Sequence, residues 1–353
     1  MQKRFIQTFL KSNEIFAYTL AGLFLFTAVL LGISIGTVSV PIVNIFQIIG
    51  FEVFQIGSIE MLDPMYGNIV MNIRLPRVIL AGLVGASLAI AGAAFQGLLR
   101  NPLADPYTLG VSSGASVGAV IVLFFHLSVP FLKGFTLPIF SIITSIATIF
   151  AVLFFARKVD RSMKVETIIL TGIIFSSFLG ALISLMIALT GEELRQIIGW
   201  LLGSVSMRGW NYVGIILPFF IFGSLLLMLN GKELNAMSFG EERAQHLGVD
   251  VRRRKMTVLL AGSVLTGAAV AVSGTIGFVG LVIPHLTRLL WGPDHKHLLP
   301  LSILTGSAFL ILADLVARMI ISPIELPIGV ITSLIGAPVF AIILLRRRME
   351  RRG

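Results

Sequence analysis

Few residues in this chain have types and spacing that could do chemistry. Gly110-Val111-Ser112-Ser113-Gly114 has the G-x-S-x-G spacing of a nucleophile elbow. That motif works where a strand turns sharply into a helix, so that the serine stands exposed above a sheet. Here it opens an apolar run rich in small residues, with no strand pattern before it, and hydrolase chemistry is set aside. Gly231-Lys232 resembles the end of a phosphate-binding loop, but no glycine stands five residues earlier and Glu233 holds the Ser/Thr position. No nucleotide cradle of that kind is present, so any ATP must be handled by a partner. Asp294, His295 and His297 are metal-ligand types in close sequence; the simpler reading is a solvated polar loop. The chain has no cysteine, which excludes disulfides, thiolate metal sites and thiol catalysis. Asp314 is the one acid set well inside an apolar run, with Arg318 at i+4 on the same helix face, so a local ion pair is expected. A single paired acid is poor material for the carboxylate relays of ion-coupled transporters.

The elements that must position these residues follow from composition. Of 353 residues, 56% are hydrophobic and only 12% charged, with a mean hydropathy of +0.97. A soluble domain carries about 25% charged residues, so a soluble globular protein is excluded, and disorder fails for want of polarity. The chain reads as an all-α polytopic membrane protein. Runs of about 20 apolar residues, the length needed to cross hydrocarbon, occur near 15–36, 76–99, 107–126, 137–156, 166–189, 211–229, 257–274, 276–291, 298–321 and 326–345. These make ten expected spans. The first follows Lys3, Arg4 and Lys11, exceeds a signal-peptide core and lacks an Ala-x-Ala exit, so it is read as retained.

The seventh and eighth spans are divided only by Ser273-Gly274-Thr275. Charge decides between one helix and two, because Lys and Arg accumulate in cytoplasmic loops. With ten spans and a cytoplasmic N-terminus, the outer side keeps Arg74, Arg77, Lys133, Arg195, Arg208 and Arg318, and all other Lys and Arg fall inside. Merging the two spans would throw Arg346, Arg347, Arg348, Arg351 and Arg352 outward. The split is therefore expected, both termini are placed in the cytoplasm, and the net charge of +10 is an orienting excess rather than a nucleic-acid surface. No separate soluble domain is expected: residues 1–353 form one transmembrane domain that includes a cytoplasmic loop at 231–256. Within that loop a short helix is expected around Glu241 to Leu247, closed by Gly248 as a C-cap. Short outer helices are expected at Pro41–Ile49 and within Gly191–Trp210. Leu80-Ala81-Gly82 and Leu260-Ala261-Gly262 echo one another on spans of opposite direction, the trace an inverted repeat leaves.

A wider constellation carries more information. Arg74-Leu75-Pro76-Arg77 opens span two, with Pro76 suited to a first helical turn. Next come Gly92-Ala93-Ala94-Phe95-Gln96-Gly97, then Arg100-Asn101-Pro102-Leu103-Ala104-Asp105-Pro106 and Leu109-Gly110-Val111-Ser112-Ser113-Gly114. They are followed by Gly240-Glu241-Glu242-Arg243-Ala244-Gln245-His246-Leu247-Gly248 and Gly277-Phe278-Val279-Gly280, with Ile283-Pro284-His285 close behind. Gly292-Pro293-Asp294-His295, Leu326-Pro327-Ile328-Gly329 and Gly336-Ala337-Pro338 complete the series. In this order, from about Arg74 to Arg346, they strongly resemble the FecCD family, permease subunits of bacterial ABC importers for ferric siderophores, haem and cobalamin.

The resemblance implies a ten-helix type II importer fold in the bacterial cytoplasmic membrane. It further implies a second permease copy or a homologous permease, a cytoplasmic ATPase dimer that holds ATP and Mg, and an extracytoplasmic substrate-binding protein. This chain itself would bind no cofactor and act as no enzyme. The segment holding Gly240, Glu241, Glu242, Arg243, Ala244, Leu247 and Gly248 resembles the coupling helices that seat in the ATPase, with Ala244, Leu247 and Val249 available for packing. Arg74, Arg77 and Arg318 resemble the arginines that receive acidic groups of the binding protein. The family sets spans five and ten beside the translocation path, which makes Thr171, Ser176, Ser177 and Met186 expected path residues, with Glu166 and Thr167 at an inner gate. The competing reading is an ion-coupled secondary transporter, which would need no ATP.

Overall fold

The computed structural model describes residues 14–56, 62–132 and 134–350. Lys3, Arg4, Lys11, Glu60, Lys133, Arg351 and Arg352, which enter the charge argument, lie outside the described residues. Within them the chain is almost wholly helical. The helices are α1 Glu14–Ser34, α2 Ile42–Phe54, α3 Pro64–Leu98, α4 Val111–Phe124, α5 Thr136–Val159, α6 Val165–Leu189 and α7 Leu194–Leu201. They continue as α8 Gly209–Leu229, α9 Gly231–Ser238, α10 Glu241–His246, α11 Val251–Ser273, α12 Val279–Trp291, α13 His295–Met319 and α14 Ile328–Glu350. Seven of these, α1, α3, α5, α6, α8, α11 and α13, are long and apolar enough to cross a membrane, while α2, α4, α12 and the apolar part of α14 are shorter.

Where the helices start is set by local chemistry that hydropathy does not register. α3 begins twelve residues before the apolar run, because Asp63 accepts the Met65 N–H at 2.8 Å and Pro64 fits the first turn. Pro76 lies inside this continuous helix. It cannot donate to the carbonyl four residues back, and the turn before it, Ile69–Arg74, is π-helical, the Leu75 N–H reaching Val70 O. α11 begins at Val251, where Asp250 accepts the Arg253 N–H at 3.0 Å. Span three starts later than expected. Asp105 caps a 3₁₀ turn over Pro106–Leu109, and Gly110 at φ +80° ends it, so the α-helix runs only from Val111.

The break between spans seven and eight is present. Gly274 (φ +71°) ends α11, and α12 starts only after Phe278 at φ +69°. Five residues of irregular backbone, Gly274 to Phe278, are tolerated in an apolar protein only when every polar group finds a partner. Tyr107 supplies two: its hydroxyl accepts the Ile276 N–H and donates to Ile276 O, each at 2.9 Å. Ser273 O accepts the Ser204 N–H at 2.7 Å, and the Thr275 hydroxyl donates to Leu201 O.

The core is α3, buried almost throughout and surrounded by α13, α11, α8 and α12. Small residues make this packing possible. A methyl group on Gly85 would collide with Gly306 O of α13, one on Gly92 with the Gly280 backbone of α12, and one on Gly262 of α11 with the Phe95 ring. The Ser307 hydroxyl donates to Gly82 O at 2.9 Å across the same contact. Close approach of backbones substitutes for the hydrophobic drive that lipid cannot supply. α3 and α11, which carry the two Leu-Ala-Gly triplets, are the most deeply buried of the long helices.

Candidate functional site

Two polar assemblies stand at opposite ends of the bundle. The first lies at the end that holds Arg100, Met163, Lys164, the α9–α10 segment and Asp294. α9 is clasped to the start of α13: Asn235 Nδ2 donates to Asp294 Oδ1 at 2.6 Å, while Asn235 Oδ1 accepts from His295 N and Nδ1, each at 2.8 Å. His297 turns away to Glu14 at 3.0 Å and to the Tyr18 hydroxyl at 3.2 Å. Asp294, His295 and His297 therefore diverge into two structural contacts, and no cluster of metal-ligating residues occurs among the described residues.

α10 is bracketed by glycines in positive φ, Gly240 at +119° and Gly248 at +83°. The Gly248 N–H reaches Gln245 O at 2.9 Å and the Val249 N–H reaches Ala244 O at 3.0 Å, satisfying carbonyls at the helix end. The segment is thus two short helices with a turn, the second close to the expected Glu241–Leu247. Glu241 is tied inward by Lys255 Nζ at 2.6 Å, and the same ammonium donates to Met163 O at 3.1 Å. Ala244 does not face outward with Leu247. It is 0% exposed and belongs to the same buried apolar cluster as Leu234 and Met237, while Leu247 and Phe239 are 71% and 68% exposed. The outward surface of the segment therefore includes Phe239, Glu242, Arg243, Gln245, His246 and Leu247. Beside it lies an open groove of about 900 Å³, where Arg100, Lys164 and Glu166 face Gly240, Glu241 and Arg243.

Asp105 sits in the loop leading away from this end, its carboxylate accepting the Tyr107 N–H at 3.0 Å. Burial pushes the carboxyl up to about 6, against the lowering effect of that hydrogen bond. A carboxyl that titrates higher in the folded than in the unfolded chain favours the folded state when protonated. Stability is therefore greatest below about pH 4 and falls as pH rises to about 6. Asp105→Asn keeps the acceptor and removes the charge. It should raise stability by about 1–2 kcal/mol at pH 7 and leave it unchanged near pH 4; thermal melts in detergent at the two pH values check this.

The second assembly lies at the opposite end, where two of the three expected docking arginines face inward. Arg74 is 5% exposed and turned inward, donating to Ile33 O at 2.6 Å, Ser34 O at 2.9 Å and Val38 O. It caps the C-terminal carbonyls of α1, with Gly36 leaving room for the guanidinium. Arg318 is also buried and donates to Gly32 O. Neither presents free charge to a partner in this conformation. The expected Asp314–Arg318 pair is present but long, at 3.9 Å, whereas Arg77 grips the same carboxylate at 2.8–3.1 Å through Nε and Nη2. Arg77 also meets Glu325 at 2.8 and 3.1 Å. Burial pushes the Glu325 carboxyl up, but hydrogen bonds from Arg77 and Ser206 together with the Arg77 charge hold it below the ordinary glutamate range.

The expected path residues are strung along α6 rather than gathered in one cavity, Glu166 and Met186 being separated by about 30 Å of helix. Glu166 joins the groove at the first assembly. Thr167 is half-buried, and its carbonyl accepts the buried Thr171 hydroxyl at 2.8 Å. Ser176 lies against Gly110 with its Oγ buried and unpaired, Ser177 is exposed, and the Met186 carbonyl accepts from the Thr190 hydroxyl at 2.6 Å. Leu170, Ile173, Ile174, Phe178 and Leu185 leave a continuous apolar face of α6 uncovered.

Sequence reasoning missed a junction of irregular backbone at the second end, where Leu201–Gly203, Thr275–Gly277 and the start of α14 meet around a hollow of about 360 Å³ that includes Ser333 and Leu334. The Ile328 N–H donates to Gly203 O at 2.9 Å, and a methyl group on Gly329 would strike Leu202 O. The glycines at 203, 274, 277 and 329 were its available signal.

The FecCD transport family model matches residues 23–346. The ABC transporter permease protein YvrB of Bacillus subtilis (strain 168) is 63% identical over 353 residues, all of both chains. The cobalamin import system permease protein BtuC of Halobacterium salinarum is 44% identical over 283 residues, 80% of this chain and 74% of that one. A metal-chelate type ABC transporter solved in an inward-facing conformation superposes with a TM-score of 0.82 at 33% identity, covering 95% of this chain and 100% of the other. With its helical architecture and these matches, the chain belongs to the FecCD transport family, as the multi-pass membrane permease of an ABC importer.

Proposed function

We propose that this permease carries a large metal chelate, specifically a ferric siderophore rather than haem or cobalamin, across the bacterial cytoplasmic membrane with both termini in the cytoplasm. It works as one of two permease copies, fed by an extracytoplasmic binding protein and driven by two ATPase subunits that bind ATP and Mg. One observation carries this reading. The α9–α10 segment is fastened to the bundle by Lys255–Glu241 and by the Asn235–Asp294–His295 clasp, yet turns Phe239 and Leu247 outward. A segment so held passes displacement to α11 and α13 rather than swinging freely, as coupling to an ATPase requires. The uncovered α6 face suits a second copy across a path onto which Ser177 opens, with Thr171 and Ser176 set behind it in the bundle and Glu166 and Thr167 at its inner mouth. Neutral groups of this kind pass a chelated metal without competing for it. At the outer end, Arg77 is the arginine within reach of a docking carboxylate, which would exchange with Glu325 while Asp314 stays in place. Rim pairs of this sort steer and orient a partner that must also leave.

Reconstitution with the ATPase and binding protein tests the reading. Uptake should require ATP and tolerate uncouplers, and the chelate transported should be the one that quenches the binding protein's fluorescence. Uptake by the permease alone, driven by an ion gradient, would overturn it in favour of secondary transport. Quenching by cobalamin or haem alone would overturn the siderophore assignment and leave the importer mechanism standing.

A further inference from the structure

At the end of the bundle that carries α10, the last turn of α5, the turn after it and the first turn of α11 enclose a hollow of about 570 Å³. Its lining is Phe154, Arg157, Lys158, Arg161 and Arg252. Four cations converge there, and among the described residues none of them forms an ion pair. The nearby acids are spent elsewhere. Asp160 accepts from Ser162 N at 2.9 Å, from the Ser162 hydroxyl at 2.8 Å and from Lys164 N at 3.2 Å, and Asp250 caps α11. Lys158 Nζ lies 5.7 Å from the centre of the Phe154 ring, which gives one cation an aromatic wall but no counter-charge.

Basic residues collect on the cytoplasmic flank of any membrane protein, so their number alone has no bearing on a ligand. Their convergence on one open hollow does. Like charges held around one hollow repel, and an anion seated among them relieves that repulsion while accepting the guanidinium forks in the geometry they favour for phosphate. The hollow also opens onto an apolar surface. Phe150, Phe154, Phe155 and Val159 are exposed along the same end of α5, directly beside the cations. A ligand that carries a phosphate and long hydrocarbon chains matches both features at once, as basic pockets between transmembrane helices match anionic headgroups.

We propose that the hollow formed by Arg157, Lys158, Arg161 and Arg252 binds the phosphate of an anionic phospholipid whose acyl chains lie along Phe150, Phe154 and Phe155. The test uses the full-length permease stripped of lipid in neutral detergent. Binding of phosphatidylglycerol and phosphatidylcholine is measured by native mass spectrometry, with and without millimolar inorganic phosphate. Wild type should prefer phosphatidylglycerol by at least tenfold, and R157Q/K158Q/R161Q/R252Q should lose that preference. All four side chains are exposed, so the fold should survive; R157K/R161K/R252K keeps the charge and should keep much of the preference. Resistance of bound phosphatidylglycerol to inorganic phosphate supports lipid as the source of the phosphate, and full displacement assigns the same site to free phosphate. Equal binding of the two lipids to wild type would overturn the proposal. So would an undiminished preference in the glutamine variant, including the case where that variant instead fails to assemble with the ATPase.

Discussion

Asp314→Ala should destabilise the permease by about 1–3 kcal/mol, the cost of leaving buried donors of Arg77 unsatisfied while Glu325 still balances its charge. Arg77 sets that cost: its side chain is only 12% exposed, and its Nε and Nη2 both donate to Asp314. Glu325 lies within reach of the same guanidinium but is more open to solvent. Glu325→Gln should therefore cost about 1 kcal/mol or less. The double variant Arg77→Leu/Asp314→Leu removes both charges and should recover most of the loss, because apolar replacement of a buried pair is close to neutral. Thermal unfolding of the four proteins in one detergent, followed by tryptophan fluorescence, decides it. A loss below about 1 kcal/mol for Asp314→Ala would show that Arg77 is adequately held without it, and that Asp314 serves the more distant Arg318 instead.

This pair also shows where sequence stops being informative. Helical spacing points Asp314 to Arg318 because i and i+4 are neighbours on any helix. The stronger partner comes from α3, 237 positions away, and nothing local marks it. Arg74 is hidden for the same reason: its acceptors are backbone carbonyls at the end of α1, which have no residue signature. The long helices were legible because hydrocarbon demands an apolar run of fixed length. The starts of α3, α11 and α13 were not, since Asp63, Asp250 and Asp294 act through caps rather than hydropathy. α4 and α12 were overextended because Gly110 and Phe278 take positive φ within stretches that remain apolar. The α9–α10 segment was legible in outline, bracketed by Gly240 and Gly248. The direction its side chains face was not, because a helix of six residues is too short for periodicity to separate Ala244 from Leu247.

That last distinction yields a second large effect. Leu247→Asp and Phe239→Asp should each weaken association with the ATPase by about 30-fold or more, the consequence of losing an interface anchor worth at least about 2 kcal/mol. Both side chains stand clear of the protein that carries them, so the permease should keep its own melting temperature; exposed substitutions usually cost under about 0.5 kcal/mol. Ala244→Leu acts by the opposite route. Ala244 is fully buried in the apolar cluster that includes Leu234 and Met237, and added methylenes there should cost about 1–3 kcal/mol of local stability by lifting α10 off its bed. ATPase subunits could still be captured by Leu247 and Phe239, but the displaced helix would transmit motion poorly, so hydrolysis should continue while uptake falls. Co-purification, ATP turnover and chelate uptake, measured on all three variants, separate the two outcomes. Full ATPase assembly with both aspartate variants would remove Phe239 and Leu247 from the interface. Normal coupling in Ala244→Leu would mean that the force enters α11 by a route other than α10, for which the Asn235–Asp294 clasp onto α13 is the remaining rigid connection.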